Sequence, residues 1–230
     1  MRIDQIRAVA TNEALPHEES PSVVRRRQFV VCVVLVAGAA LMAYSLTRPP
    51  GDATFYWLTF ALAGVWTGGS LLSGPLHLGR TMWRDTARRP VITGAAMGLL
   101  LAAVFLAGGL VVRNIPAIAE PITRVLEYTN HGSPWLIVVI ALINAVAEEL
   151  FFRGALYTAL GRFYPVVIST LLYAAATLAT GNPMLAFAGL ILGTVCGLQR
   201  RATGGVLAPI LTHVIWGPLM VLGLPPIFGL

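Results

Sequence analysis

The sequence predicts an all-α protein, a polytopic transmembrane helical bundle. The chain has 230 residues, of which 57% are hydrophobic and only 11% are charged, and soluble domains rarely have such a composition. Apolar runs of about 20 residues recur along the chain, and this is the length that an α-helix needs to cross the hydrocarbon core of a bilayer. We therefore expect an integral membrane protein in direct contact with lipid.

About seven spans are expected, and the two short ones, the fifth and the sixth, could be tilted or partly re-entrant. Their predicted limits are 28–47, 53–74, 91–112, 135–160, 163–180, 183–199 and 203–222.

The charged loops predict the orientation of the bundle. The net charge of +6 comes from arginine, because the sequence contains no lysine. Arginines are concentrated at 25–27, 80–89, 162 and 200–201, loops that the seven spans place on one side. The positive-inside rule makes this side, and the N-terminus, cytoplasmic. The basic excess thus reflects topology rather than nucleic-acid binding. The exclusive use of arginine indicates a GC-rich bacterial genome, so we expect the protein in a bacterial inner membrane.

The chain divides into three parts. Residues 1–24 form a polar cytoplasmic tail, residues 25–134 contain the N-terminal spans and an interfacial segment, and residues 135–222 form a C-terminal core. Residues 114–134 are too polar to span the membrane. Apolar residues recur there at helical spacing, which indicates a short interfacial helix, although a loop is the alternative; these residues are Ile118, Ile122, Val125 and Leu126.

Four ionisable residues lie inside predicted spans: Glu148, Glu149 and Arg153 in the fourth, and His213 in the last. Charged groups in hydrocarbon are costly unless they are paired or face an aqueous cavity, so a functional role is the default interpretation. Glu149 and Arg153 have the i, i+4 spacing of an intrahelical ion pair. Glu148 then needs another partner, such as a metal ion, an activated water or His213. The alternative is purely structural: the pair fixes helix register, and His213 binds a backbone carbonyl.

A row of glycines marks one face of the sixth span. Gly189, Gly193 and Gly197 are spaced four residues apart, and such small-residue faces let helix backbones approach closely in lipid. We interpret this row as a helix-packing surface.

Three motifs of the C-terminal core resemble the CPBP family, the CAAX-protease and bacteriocin-processing (Abi) membrane proteins. "EELFFRG" matches the EExxxR signature of the family, and "STLLYAAAT" aligns with its second motif, an aromatic residue followed four positions later by histidine. "RRATGGVLAPILTHVIWG" is similar to the third motif, in which histidine is usually followed four residues on by asparagine.

The resemblance implies an intramembrane endopeptidase that acts on a membrane-associated protein or peptide. Glu148 would be the general base, Glu149 and Arg153 a supporting pair, and His213 an oxyanion contact. Alternatively, Glu148 and His213 would hold a zinc ion that polarises the attacking water.

Three positions depart from the family pattern. Thr177 replaces the second-motif histidine, Gly217 replaces the third-motif asparagine, and Tyr173 replaces the usual phenylalanine, a mild change. Two functions are therefore weighed. One is an endopeptidase with a reduced site. The other is a non-catalytic scaffold, immunity-type protein or accessory subunit that uses the same fold to bind a protein or lipid partner.

Overall fold

The computed structural model describes residues 20–83, 86–131 and 133–230, and most of them are helical. Of the predicted tail at 1–24, residues 1–19 lie outside the described residues, and residues 21–24 belong to the first helix. The elements are α1 Pro21–Ser45, α2 Ala53–Ser73, β1 Thr81–Trp83, β2 Thr86–Arg88, α3 Val91–Val112, α4 Pro116–Asn130, α5 Pro134–Leu160, α6 Pro165–Leu178, α7 Pro183–Thr203 and α8 Leu207–Ile227.

The polytopic helical bundle is confirmed. Among the described residues, six helices are long and apolar enough to cross a membrane, namely α1, α2, α3, α5, α7 and α8. The predicted fifth span forms α6, a helix of only 14 residues. It is short because Pro165 begins it and Gly181, with a φ of 79°, follows its end.

The first span begins earlier than predicted. Helix α1 begins at Pro21, so the arginines at 25–27 are helical rather than part of a loop. Arg27 is fully buried, and its Nη1 donates a hydrogen bond to Ser73 Oγ at the end of α2 over 3.3 Å. Hydropathy missed this turn because a buried arginine lowers the mean of any window that contains it.

Local signals in the sequence explain several helix ends. Proline occupies the first turn of α1, α4, α5, α6 and α7, where its missing N–H removes no intrahelical bond. Asp52 caps α2 by accepting a hydrogen bond from Thr54 N over 2.8 Å, and this bond lowers the pKa of the Asp52 carboxyl. Asn182 caps α7 in the same way through Met184 N.

A small antiparallel hairpin, β1–β2, is the exception to the all-α prediction. It follows a segment that is tied to the α7–α8 turn: Arg80 N donates to Thr203 O over 2.8 Å, and Val206 N donates to His77 O over 2.9 Å. Gly205 packs directly on the backbone of Gly79, where a side chain would have no space. The sequence predicted only a charged loop here.

Helix α5 lies at the centre of the bundle and contacts α1, α2, α4, α6, α7 and α8. Six of the other helices pack as three neighbouring pairs, α1 with α2, α3 with α8, and α6 with α7. Around α5 the core is aromatic: the ring of Trp66 lies 4.5 Å from that of Phe151 and 5.2 Å from that of Phe152, and all three are fully buried. This core fixes the helix that carries both glutamates.

The segment 114–134 contains helix α4, so the short helix is confirmed and the loop alternative is wrong. Its apolar side packs inward through Leu126, which is buried. Tyr128 Oη donates to Leu46 O over 3.1 Å, and Asn182 Nδ2 donates to Pro121 O over 2.7 Å. These bonds attach α4 to the loops before α2 and before α7.

Candidate active site

The intramembrane charges lie where α5 changes its winding. Leu150–Leu156 forms a π-helical segment inside α5, directly after Glu148 and Glu149, and it includes Arg153. Such segments are uncommon and occur frequently at functional sites. The site therefore begins with a local change of helix geometry in the middle of a 27-residue membrane helix.

Glu149, Arg153 and His213 form one buried cluster, called the Glu149 cluster below. Arg153 Nη1 donates to Glu149 Oε1 over 3.0 Å, so the ion pair predicted from the i, i+4 spacing is present. His213 Nδ1 lies 3.0 Å from the same oxygen. The side chains of Glu149 and Arg153 are 0% exposed, so each charge depends on the other for compensation.

The hydrogen bonding of this cluster is incomplete. Glu149 Oε2 and Arg153 Nε and Nη2 are buried without a hydrogen-bond partner. The guanidinium of Arg153 does lie over the ring of Tyr173, with its Cζ 4.9 Å from the ring centroid. This cation–π contact compensates part of the desolvation of the arginine.

Glu148 has a different environment from its neighbour. It is only partly buried, and Tyr173 Oη donates to Glu148 Oε2 over 2.6 Å. His213, which the sequence offered as a partner for Glu148, instead contacts Glu149. Successive residues of a helix point about 100° apart, which is why Glu148 meets α6 while Glu149 meets α8.

Asn144 does not join either glutamate. Its Nδ2 donates to Ile140 O over 3.0 Å and to Thr59 O over 3.3 Å. The amide therefore links α5 to α2, although residues 144 and 148 are four apart and share one helix face.

Two of the three positions that depart from the motif pattern, Thr177 and Gly217, lack the chemistry of the residues that they replace. Thr177 Oγ1 donates to the carbonyls of its own helix, Ala174 O at 2.9 Å and Tyr173 O at 3.1 Å. Gly217 lies one turn beyond His213, and a Cβ built there would have His213 Cδ2 as its nearest neighbour, at 4.0 Å. Space for a side chain is thus available at Gly217.

The glycine row of α7 faces α6. A Cβ at Gly189 would lie 2.9 Å from Thr177 Oγ1, and one at Gly193 would lie 3.2 Å from Arg153 Nη2 and 3.4 Å from Tyr173 Cδ1. Gly197 faces Val166 at 3.1 Å. The glycine row lets α6 pack closely on α7, and this packing holds Tyr173 near α5. The row therefore serves helix packing and also shapes the site.

Arg200 is a site-supporting residue that the sequence did not reveal. Its Nε donates to Arg153 O over 2.8 Å, and its Cζ lies 4.9 Å from the ring centroid of Tyr157. The sequence assigned it to a loop of topological arginines, and nothing in the spacing of "QRR" indicated a backbone acceptor 47 residues away.

The donor set does not fit a zinc ion. Glu148 and His213 are the proposed ligands, and His213 could bind only through Nε2 because its Nδ1 is engaged by Glu149, so the pair supplies two ligands. In the part of the chain that the structure describes, no group of three or more His, Cys, Asp and Glu side chains could hold a metal, whereas catalytic zinc ordinarily has three protein ligands. We therefore derive no step through a metal.

A separate cavity of about 430 Å³ opens beside α4, away from the glutamates. None of the predicted site residues lines it. The lining residues are Leu46, Pro50, Arg124, Val125, Glu127, Tyr128, Thr180, Gly181 and Asn182.

Fold and site together define a polytopic helical membrane protein with a carboxylate-centred polar cluster in its transmembrane core. Residues 130–218 match the family model described as Type II CAAX prenyl endopeptidase Rce1-like. The resemblance read from the three motifs is thereby confirmed for this segment, and the family is one of intramembrane proteases. No curated protein and no solved structure matches the chain.

Proposed function

We propose that the chain is an intramembrane endopeptidase in which Glu148 is the general base. The observation that carries this proposal is the difference in hydrogen bonding between the two carboxylate oxygens of Glu148. Tyr173 donates to Oε2, while no hydrogen bond to Oε1 is seen among the described residues. A carboxylate in a membrane interior with one oxygen available can accept a proton from water. The family match over 130–218 supplies the reaction class.

The proposed reaction is hydrolysis of a peptide bond. Glu148 takes a proton from a water molecule, and the oxygen of that water attacks the scissile carbonyl carbon. The tetrahedral intermediate collapses, the C–N bond breaks, and Glu148 returns the proton to the leaving nitrogen. Each proton is thus accounted for by one carboxyl group and one water.

The Glu149 cluster would orient the second polar group of the site. Because Glu149 accepts from His213 Nδ1, the other ring nitrogen, Nε2, is left for the reacting carbonyl oxygen, to which it donates when the imidazole carries both protons. Arg153 keeps the Glu149 charge compensated, so that the carboxylate remains an acceptor for the imidazole. In this assignment Glu149 and Arg153 support the site without touching the substrate.

A specific observation favours the second candidate function, a non-catalytic scaffold or accessory subunit that binds a protein or lipid partner. Thr177 cannot serve as a base near neutral pH, and Gly217 has no side chain to bind an oxyanion. Loss of one such group typically lowers a rate by about 10²–10⁴. A slow enzyme and an inactive binding protein therefore share much of this geometry, and only turnover separates them.

The test is a cleavage assay on the purified protein in liposomes. The first substrate is a fluorogenic peptide that ends in a CAAX sequence with a prenylated cysteine, the class that the family description names. Wild type is compared with Glu148→Gln, Glu148→Ala and the double variant Thr177→His with Gly217→Asn.

We expect wild type to cleave slowly and both Glu148 variants to lose about 10²–10⁴ in rate. If wild type is as inactive as Glu148→Ala while the double variant cleaves, the protein is a non-catalytic member and the proposal is wrong.

A further inference from the structure

We propose that Tyr173, in α6, is a positioning residue for Glu148. The Tyr173 hydroxyl contacts Glu148 from the helix in which the second-motif histidine is missing. This inference rests on the proposed function. Tyr173 would hold Glu148 Oε2 so that Oε1 stays directed at the reacting water. The sequence treated tyrosine at this place as a mild change, but the hydroxyl gives it a polar role that phenylalanine lacks.

The contact itself is short and specific. Tyr173 Oη donates to Glu148 Oε2 over 2.6 Å, within the 2.5–2.7 Å or so that hydrogen bonds between a hydroxyl and a carboxylate span. The tyrosine is buried, with 4% of its surface exposed. Water therefore competes poorly for the phenol, and the bond fixes one carboxylate oxygen.

The ring that carries this hydroxyl is enclosed on several sides. The Arg153 guanidinium lies over one side at 4.9 Å, and the ring of Phe152 lies 4.7 Å away. The backbone of α7 approaches Tyr173 Cδ1 at Gly189 and Gly193, where a Cβ would lie 3.6 and 3.4 Å away. A ring enclosed in this way presents its hydroxyl at a fixed place.

The other polar groups near Glu148 are engaged elsewhere. Thr177 Oγ1 bonds Tyr173 O and Ala174 O, and His213 Nδ1 contacts Glu149. Asn144 Nδ2 bonds two carbonyls of α2 and α5. Within the described residues, Tyr173 is thus the side chain that donates a hydrogen bond to Glu148.

The experiment removes only the hydroxyl. Tyr173→Phe keeps the ring and is compared with Tyr164→Phe, which removes an exposed hydroxyl at the start of the same helix. In the cleavage assay we expect Tyr173→Phe to lower kcat by about 10- to 100-fold, the scale of a misplaced catalytic group. KM should stay within about twofold, because the phenol does not bind substrate. Incorporation of 4-aminophenylalanine at 173 restores a donor on the same ring and should recover most of the loss.

An infrared measurement reports the contact without turnover. The carboxyl band of Glu148 is identified by its absence in Glu148→Gln. We expect it to shift in Tyr173→Phe and to be unchanged in Tyr164→Phe.

The two readouts separate the possible failures. If wild type cleaves and Tyr173→Phe cleaves equally well, the positioning role is overturned whatever the band does. If no variant cleaves beyond Glu148→Gln, the proposed function fails, and an unshifted band then removes the Tyr173 contact as well. A kcat loss that 4-aminophenylalanine does not recover would also overturn the inference, because packing rather than hydrogen bonding would then be responsible.

Discussion

Two neighbouring carboxylates, Glu148 and Glu149, occupy opposite kinds of environment in the same helix. Glu149 is fully buried and shares one oxygen between a guanidinium and an imidazole. Glu148 is partly buried and is held by one phenol through one oxygen. The difference arises because a single residue step turns the helix face from α8 to α6. Glu149 can thus take part in a charge-compensated pair while the adjacent Glu148 keeps a carboxylate oxygen available for reaction.

The comparison predicts losses of stability of different size when each glutamate loses its partner. Arg153→Met should destabilise the protein by about 3–5 kcal/mol, because it leaves the buried Glu149 charge without its cation. Tyr173→Phe should cost less, about 1.5–3 kcal/mol, the net worth of one hydrogen bond to a charged group. Unfolding by denaturant titration in mixed micelles measures both.

The matched control is Arg88→Met, which removes an exposed arginine of the β-hairpin and should change stability by less than about 0.5 kcal/mol. Equal destabilisation by Arg153→Met and Tyr173→Phe would contradict the claim that Glu149 depends more strongly on its partner than Glu148 does.

A side-chain donor introduced at Gly217 tests whether the site lacks an oxyanion contact. Gly217 has room for a side chain one turn beyond His213. We expect Gly217→Asn to raise kcat by as much as about 10², the lower end of what one oxyanion-hole donor contributes. Gly217→Ala fills part of the same space without a donor and should leave kcat unchanged. An equal rise in both variants would assign the effect to packing.

The glycine row gives a smaller and purely mechanical effect. Gly193→Ala places a Cβ 3.1 Å from Thr170 Cγ2 and 3.2 Å from Arg153 Nη2, and overpacking of this kind costs about 1–3 kcal/mol. Gly108→Ala, in α3, meets no atom within 4 Å and should be neutral or slightly stabilising, because alanine favours helix. If both alanines are tolerated equally in the same micelle titration, α6 and α7 are less closely packed than described.

Local features of the site could be predicted from the sequence, and contacts between distant residues could not. Hydropathy located the long helices, and the i, i+4 rule gave the Glu149–Arg153 pair, because both depend on residues close in the chain. The bond between Glu148 and Tyr173 joins residues 25 apart and depends on how closely α6 approaches α5. The choice of Glu149 as the partner of His213 depends in the same way on the packing of α8. The length of α6 was misjudged because apolar residues continue past both of its ends.

The shortness of α6 has a consequence for the lipid around the site. A 14-residue helix is about 21 Å long, roughly 9 Å less than the hydrocarbon thickness of a typical bilayer. Hydrophobic mismatch of this size is relieved by local thinning of the bilayer or by headgroups and water drawn inward. The helix that holds Tyr173 against Glu148 would therefore also bring the aqueous phase nearer to the carboxylate.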